Sequence, residues 1–333
     1  MKTIIDPLTE SLAPGFSLRP ALWPDLEAVC ALIKEVCTLE GDPVGAVSQD
    51  EMRIEWQTPG FNLQTDAWVA TDASGAIMGY EEMFNGHEHS YLRGDGYVHP
   101  SLHGRGIGTS LLHVLEARAR LEVPKAAQGA RVYLRNMMGV KDEDACRMHE
   151  NEGYNAIRYS WRMGITLAEP LQGPIWPEGV ELRPFVKGIQ NRIVFETEDE
   201  SFRDHWGHTP GDFDAWQLRK PGAEDFDPTL WYIAWEGDVV AGVSLCRYRQ
   251  GIGWVGSLGV RRPWRKRGLG LALLQHSFGE FYRRGMPEIG LGVDASSLTG
   301  ATRLYEKAGM HVVNDYVLYE KELRPGLVLQ EQA

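Results

Sequence analysis

The sequence predicts an α/β (α+β) fold in which one unit, a mixed and mostly antiparallel sheet flanked by helices, occurs twice. Two observations lead there. First, short signatures recur at a nearly constant offset. Leu182-Arg183-Pro184 repeats Leu18-Arg19-Pro20 at 182 − 18 = 164, and Trp231 repeats Trp68 at 231 − 68 = 163. Gly242 repeats Gly79 at 242 − 79 = 163, Gly268 repeats Gly106 at 268 − 106 = 162, and EKAG ending at Gly309 repeats ENEG ending at Gly153 at 309 − 153 = 156. A slowly drifting offset is what a duplicated domain of about 150 residues produces when loop lengths differ. Second, each copy reads β-α-α-β-β-β-α-β-α-β. Most neighbouring strands are hairpin-linked, and one β-α-β step surrounds a glycine turn, which gives a mixed sheet with helices on both faces.

The elements follow in order. Residues 1–15 read as a loose leader, and Phe16 to Pro20 as a short strand. Leu26, Val29, Cys30, Ile33 and Val36 recur at helical spacing and predict a helix over 24–38. Ser48 with Glu51 three residues on is a capping box that opens a second helix. Asp66 to Asp72 and Ala76 to Met83 are strands joined by an Ala-Ser-Gly turn, and residues 90–98 form another. His103-Gly104-Arg105-Gly106-Ile107-Gly108 then leads into a helix ending near Leu121. A strand from Ala130 to Arg135, a helix over 141–152 and a strand over 154–167 complete the copy. Residues 168–178 (AEPLQGPIWPE) carry three prolines and a glycine, the composition of a linker. The reading is thus a domain over 1–167, a linker over 168–178 and a second domain over 179–333.

Composition narrows the function. The 333 residues suit two domains rather than one core, and 43% hydrophobic content is ordinary for a globular chain. A formal net charge of −12 argues against nucleic-acid binding, which needs a basic face. No apolar run approaches a membrane span, and the N-terminus lacks a signal-peptide pattern, so a soluble cytoplasmic protein is expected. The four cysteines, Cys30, Cys37, Cys146 and Cys246, form no Cys-x-x-Cys pair. Cys30 and Cys37 lie two helical turns apart, about 10 Å of rise, and read as buried thiols. The pairs His87 with His89 and His205 with His208 lack a converging third ligand, so no metal is expected. Trp231, Trp235 and Trp254 read as core residues.

Against that acidic background, Val260 to Leu274 (VRRPWRKRGLGLALL) stands out. The apolar strand Trp254 to Val260 runs into it, and a helix with Leu271, Leu274, Phe278, Phe281 and Tyr282 on one face runs out. Arg261, Arg262, Arg265, Lys266 and Arg267 crowd the turn before Gly268 and Gly270. Strand, glycine turn and helix N-terminus make an anion site, and five cations beside it suit a ligand with several phosphate charges.

Arg265-x-x-Gly268-x-Gly270 resembles the pyrophosphate loop of the GCN5-related N-acetyltransferases, the GNAT superfamily. The element order is similar over nearly the whole chain, twice, with a likeness to duplicated enzymes of the mycothiol synthase type. The resemblance implies two tandem GNAT domains and acetyl-CoA as acyl donor. It implies a splayed strand Ser257-Leu258-Gly259-Val260 whose Leu258 N–H donates to the thioester carbonyl, with Val260 against the pantetheine arm. Lys266, Arg267, Gly268, Leu269, Gly270 and Leu271 would hold the pyrophosphate, with Arg265 steadying the loop. The segment Leu304-Tyr305-Glu306-Lys307-Ala308-Gly309-Met310 is similar to the family's Leu-Tyr-Glu-Lys-x-Gly-Phe, and implies Tyr305 as the acid that protonates the departing thiolate. Ser297 stands where the family's usual asparagine contacts pantetheine.

The first copy departs further. His103 replaces the loop arginine, His149 replaces the tyrosine and the cations are mostly gone, so it reads as a degenerate, structural copy. Glu196, Glu198, Asp199, Glu200 and Asp204, with Trp206, are candidates to attract a protonated acceptor. The implied activity is N-acetyl transfer by direct attack in a ternary complex, to a primary amine of a small molecule, by a monomer or homodimer. Acetylation of a protein lysine or N-terminus, and a non-catalytic acetyl-CoA-binding module, are the alternatives.

Overall fold

A computed structural model describes residues 14–208, 211–223, 226–297 and 300–327. The leader expected over 1–15 therefore lies, up to residue 13, outside the described residues. In chain order the elements are β1 (Phe16–Pro20), α1 (Leu26–Leu39), α2 (Gln49–Trp56), α3 (Leu63–Asp66), β2 (Ala67–Asp72), β3 (Ile77–His87), β4 (Tyr91–Val98), α4 (Ile107–Arg120), β5 (Val132–Gly139), α5 (Glu143–Asn151) and β6 (Asn155–Thr166). After residues 168–178, which hold no helix or strand, come β7 (Val180–Pro184), α6 (Asn191–Phe202), α7 (Phe213–Arg219), β8 (Trp231–Glu236), β9 (Val239–Arg249), β10 (Ile252–Val260), α8 (Leu269–Arg283), β11 (Glu288–Asp294), α9 (Ala301–Lys307) and β12 (His311–Arg324).

Among the described residues the chain divides into two compact units, 14–158 with 316–327, and 159–315. In the first the strands run β1-β2-β3-β4-β5-β12, and in the second β7-β8-β9-β10-β11-β6. Each sheet is antiparallel except at one step, β4 with β5 and β10 with β11. The units differ from the sequence halves 1–167 and 179–333 at the last strand of each. Ser160 to Thr166 pairs with β11, and Tyr316 to Arg324 pairs with β5. Pairing of strands so distant in the chain leaves no periodic mark that a repeat can register.

Local signals explain the elements. Ser48 accepts from the Glu51 amide at 3.1 Å and Glu51 Oε2 accepts from the Ser48 amide at 3.0 Å, the expected capping box. The expected α1 face is buried: Val29, Ile33 and Val36 pack with Met52, Trp56 and Tyr80. In the second unit α8 lies on one sheet face and α6 on the other. Leu273, Leu274, Phe278 and Phe281 are buried against Val255, Ile289 and Leu291, each contributing about 2 kcal/mol. The expected stripe shifts slightly, since Leu269 and Leu273 are fully buried while Leu271 and Tyr282 are half-buried. Trp231 and Trp235 are buried as expected, but Trp254 is half-buried, with Arg162 and Arg249 over its ring at 5.7 and 5.6 Å. All four cysteines are free thiols, and Cys146 is half-buried.

Candidate active site

The site of the second unit starts from a parting of strands. β10 pairs with β9 along its length to Val260↔Gly242, but with β11 only at Gly253↔Ile289 and Trp254↔Gly290. β11 continues on β6 as far as Asp294↔Ser160. Among the described residues, the β11-facing edge of β10 is thus open from Val255 to Val260, a row of backbone donors and acceptors available to an extended ligand. Leu258 and Val260, two of the sequence-predicted residues, lie on this edge.

A bulge between Val255 and Ser257 interrupts β10. Gly256 is the extra residue, and it reverses the alternation of the strand. Gly253, Val255, Leu258 and Val260 face α8, where a Cβ on Gly253 would lie 2.5 Å from the Phe281 ring. Ser257 and Gly259 face α6, where a Cβ on Gly259 would meet Ser201 at 2.9 Å. Without the bulge, Ser257 would point toward α8.

The turn after β10 is held by Arg265. Its guanidinium donates to the Val260 carbonyl (3.0 Å), the Ser201 carbonyl (3.1 Å) and Asp204 Oδ2 (2.6 Å), tying strand, helix and turn together. Lys266 then adopts φ 62° and Gly268 φ 89°. Gly104 and Gly106 take the same left-handed backbone in the first unit (φ 72° and 78°), so the second unit carries a strained lysine where its counterpart has glycine. The first helical bond of α8 runs from Ala272 to the Gly268 carbonyl at 3.1 Å. The amides of Leu269, Gly270 and Leu271 therefore point out of the helix end, with the dipole favouring an anion. A Cβ on Gly270 would lie 3.3 Å from Leu304 and 3.7 Å from Val260, so turn, strand edge and α9 converge here.

Tyr305, on α9, packs in the α8-side core with 8% exposure. Burial pushes its phenol up to about 12, and its hydroxyl has no hydrogen-bond partner among the described residues. It is therefore a protonated donor at neutral pH. Ser297 lies in the turn between β11 and α9, its amide on the Asp294 carbonyl at 3.1 Å.

The structure corrects the reading of the cationic run. Arg261 pairs with Glu200, Arg262 and Arg265 share Asp204, and Arg267 pairs with Glu236 at 2.7 Å. These contacts hold the Asp204 and Glu236 carboxyls below their usual range, through hydrogen bonds from Arg262 and Arg265 and from Arg267 and Trp264 respectively. Four of the five cations thus have carboxylate partners, and Lys266 makes no ion pair among the described residues. By the same token Glu200 and Asp204 are occupied as candidate acceptor anchors. Asp199 is shared by the Gly211 amide (3.0 Å) and His208 (3.5 Å).

Sequence reasoning did not separate Glu198 from its neighbours. Its Oε2 accepts from the Trp216 indole at 2.7 Å, and its Oε1 accepts from both the Ser257 hydroxyl and the Lys220 ammonium. Lys220 Nζ also lies 3.1 Å from Ser257 Oγ. The sequence does not single out the residue that turns Ser257 toward Glu198, because Gly256 is one of three glycines in β10 and only the register with β9 shows which is the extra one.

The first unit repeats the parting, since β4 pairs with β5 only from Tyr91 to Gly94. The chemistry differs. β4 has no bulge, and a Cβ on Gly96 would meet the buried Glu81 carboxylate at 2.2 Å. Burial raises the pKa of Glu81. His149 Nδ1 donates to the Ala145 carbonyl at 2.9 Å, which leaves Nε2 a bare lone pair, and burial lowers the imidazole pKa. Where Tyr305 offers a proton, His149 offers an acceptor. His89 meets Glu122 at 2.5 Å, and the side chain of His87 lies outside the described residues. No group of three His, Cys, Asp or Glu is set to hold a metal among the described residues. No helix there is long and apolar enough to cross a membrane.

Comparison with known proteins gives the family. The profile of the acetyltransferase (GNAT) family matches residues 191–310. A crystal structure of a GCN5-related N-acetyltransferase from Sphaerobacter thermophilus is 38% identical at a TM-score of 0.80, covering 96% of this chain and 99% of that one. The chain belongs to the GNAT acetyltransferase family. It is similar to a mycothiol acetyltransferase of Geodermatophilus obscurus, 27% identical over 85% of this chain and 89% of that protein. A tandem GNAT protein from the clavulanic acid biosynthesis pathway shares the fold at TM-score 0.69 and 16% identity, over 93% of this chain and 99% of that one. This GNAT protein is accordingly an acyltransferase dependent on acetyl-CoA.

Proposed function

We propose that the second unit transfers the acetyl group of acetyl-CoA to the primary amine of a small molecule, and that the first unit is structural. The observation that carries the reading is the parting of β10 from β11 beside Leu258, next to the left-handed Gly268 turn. The open edge suits a pantetheine arm along Leu258 and Val260. The amides of Leu269, Gly270 and Leu271, with Lys266, suit the pyrophosphate. Arg265 serves by holding the turn, and Arg267 by anchoring its outer side to Glu236. Ser297 borders the pantetheine side.

The acceptor amine attacks the thioester carbonyl directly. The Leu258 N–H stabilises the oxyanion, and Tyr305 gives the leaving thiolate its proton. A small-molecule acceptor is favoured by the likeness to mycothiol acetyltransferases. Two features argue against catalysis in the first unit: the buried Glu81 carboxylate lies against Gly96, and His149 spends its one ring N–H on the Ala145 carbonyl.

Calorimetry with acetyl-CoA, followed by mass-spectrometric screening of primary amines for an added acetyl group, tests the proposal. One acetyl-CoA site that weakens in Lys266→Glu, together with an acetylated small amine, supports it. Absence of binding, or binding indifferent to Lys266 and Gly268 substitutions, overturns it.

A further inference from the structure

The Lys220 ammonium lies on the α6 side of β10, against the residue that precedes Leu258. Four contacts define its setting. Lys220 Nζ is 3.1 Å from Ser257 Oγ and also donates to Glu198 Oε1. Ser257 donates to that same oxygen, and the Trp216 indole fixes the other at 2.7 Å. The arrangement exists because the Gly256 bulge turns Ser257 to the α6 face while Leu258 keeps its place on the open edge. A primary amine, a carboxylate able to take its proton and an intervening hydroxyl thus sit one residue from the expected oxyanion donor.

We infer that Lys220 is an internal acceptor, a site of self-acetylation by the acetyl-CoA bound to the same unit. The inference rests on the donor-site reading above. Glu198 removes one proton from the ammonium, directly or through Ser257, and passes it to solvent. The neutral Nζ attacks the acetyl carbon. A C–N bond forms and the C–S bond breaks as Tyr305 protonates the thiolate; Glu198 takes the second nitrogen proton and passes it to solvent, and Tyr305 regains its proton from solvent. The products are Nζ-acetyl-Lys220, free CoA and one released proton. Acetylation removes the cation from Glu198 and leaves that carboxylate with Trp216 and Ser257 as donors, so its charge is no longer neutralised and favours an external ammonium. Holding amine and thioester in one unit supplies the effective concentration that a solvent-facing lysine lacks.

The full-length protein is incubated with acetyl-CoA as the only added reactant, and peptide mass spectrometry follows each lysine. Lys34 and Lys141, both exposed, report uncatalysed chemistry. The expected result is acetylation of Lys220 at least about tenfold faster than either reference, suppressed by excess free CoA. In Lys220→Arg, which keeps the cation, the fast phase disappears. Calorimetric binding of acetyl-CoA with Lys220 labelled no faster than Lys34 and Lys141 overturns the inference and leaves the donor site standing. A fast phase that persists in Lys220→Arg also overturns it. Failure to bind acetyl-CoA removes the donor-site reading and the inference with it.

Discussion

Replacing Arg265 by lysine keeps the charge and loses the fork. Arg265 spreads its donors over two backbone carbonyls, Val260 at 3.0 Å and Ser201 at 3.1 Å, and over Asp204. A lysine ammonium reaches at most one of these at a time. Each charged-donor bond to a carbonyl is worth about 1.5 kcal/mol when buried. The guanidinium is 28% exposed, so the two together come to about 2 kcal/mol after discounting for solvent, with no credit for the exposed Asp204 pair. Urea unfolding should therefore show a loss of about 2 kcal/mol in Arg265→Met and at least about half of that in Arg265→Lys, which keeps at most one of the bonds. Acetyl-CoA titrations should show both variants weakened about tenfold or more, because the strand end and the Gly268 turn are no longer tied together. If Lys restores acetyl-CoA affinity while Met does not, Arg265 acts as a phosphate charge and the latch argument is wrong. If both variants bind normally despite the stability loss, the turn is not the pyrophosphate site.

Other expectations follow from the same geometry. Tyr305→Phe should lower the rate of CoA release with an amine acceptor by about 100-fold without weakening acetyl-CoA, since the hydroxyl acts only as the thiolate leaves; rate and calorimetry together check this. With its phenol pushed up to about 12, Tyr305 should stay protonated, and the pH profile of that rate should show no descending limb from this group below about pH 10. Lys266→Gly should stabilise the fold by roughly 0.5–1 kcal/mol through relieved left-handed strain, read by urea unfolding, while weakening acetyl-CoA; a fall in stability would contradict the strain at φ 62°. His149 has a lowered pKa in the folded chain. Its neutral form contributes fully above the unfolded pKa near 6.5, and that stability is lost as pH falls. Denaturation of His149→Leu at about pH 7.5 and about pH 5.5 should therefore show a smaller acid loss than the wild type.

Much of this molecule is written in short-range pattern. The α1 stripe of Val29, Ile33 and Val36 and the Ser48–Glu51 capping box follow from spacing alone, because helical periodicity and capping are local physics. The left-handed Gly106 and Gly268 follow from it too, since only a few residues near each turn are involved. The duplication was legible for the same reason, as it copies local signals at a fixed interval. What only the tertiary structure decided depends on partners far apart in the chain. The sequence presents Arg261, Arg262, Arg265 and Arg267 as free cations, and folding brings Glu200, Asp204 and Glu236 onto them, because α6 and β8 end beside the turn. Ser160–Thr166 and Tyr316–Arg324 complete sheets that the repeat boundaries do not assign to them, since strand pairing is non-local. A single inserted residue, Gly256, determines that Ser257 meets Glu198 and Lys220. One extra residue reverses which face every following side chain takes, and only the paired strand reveals it.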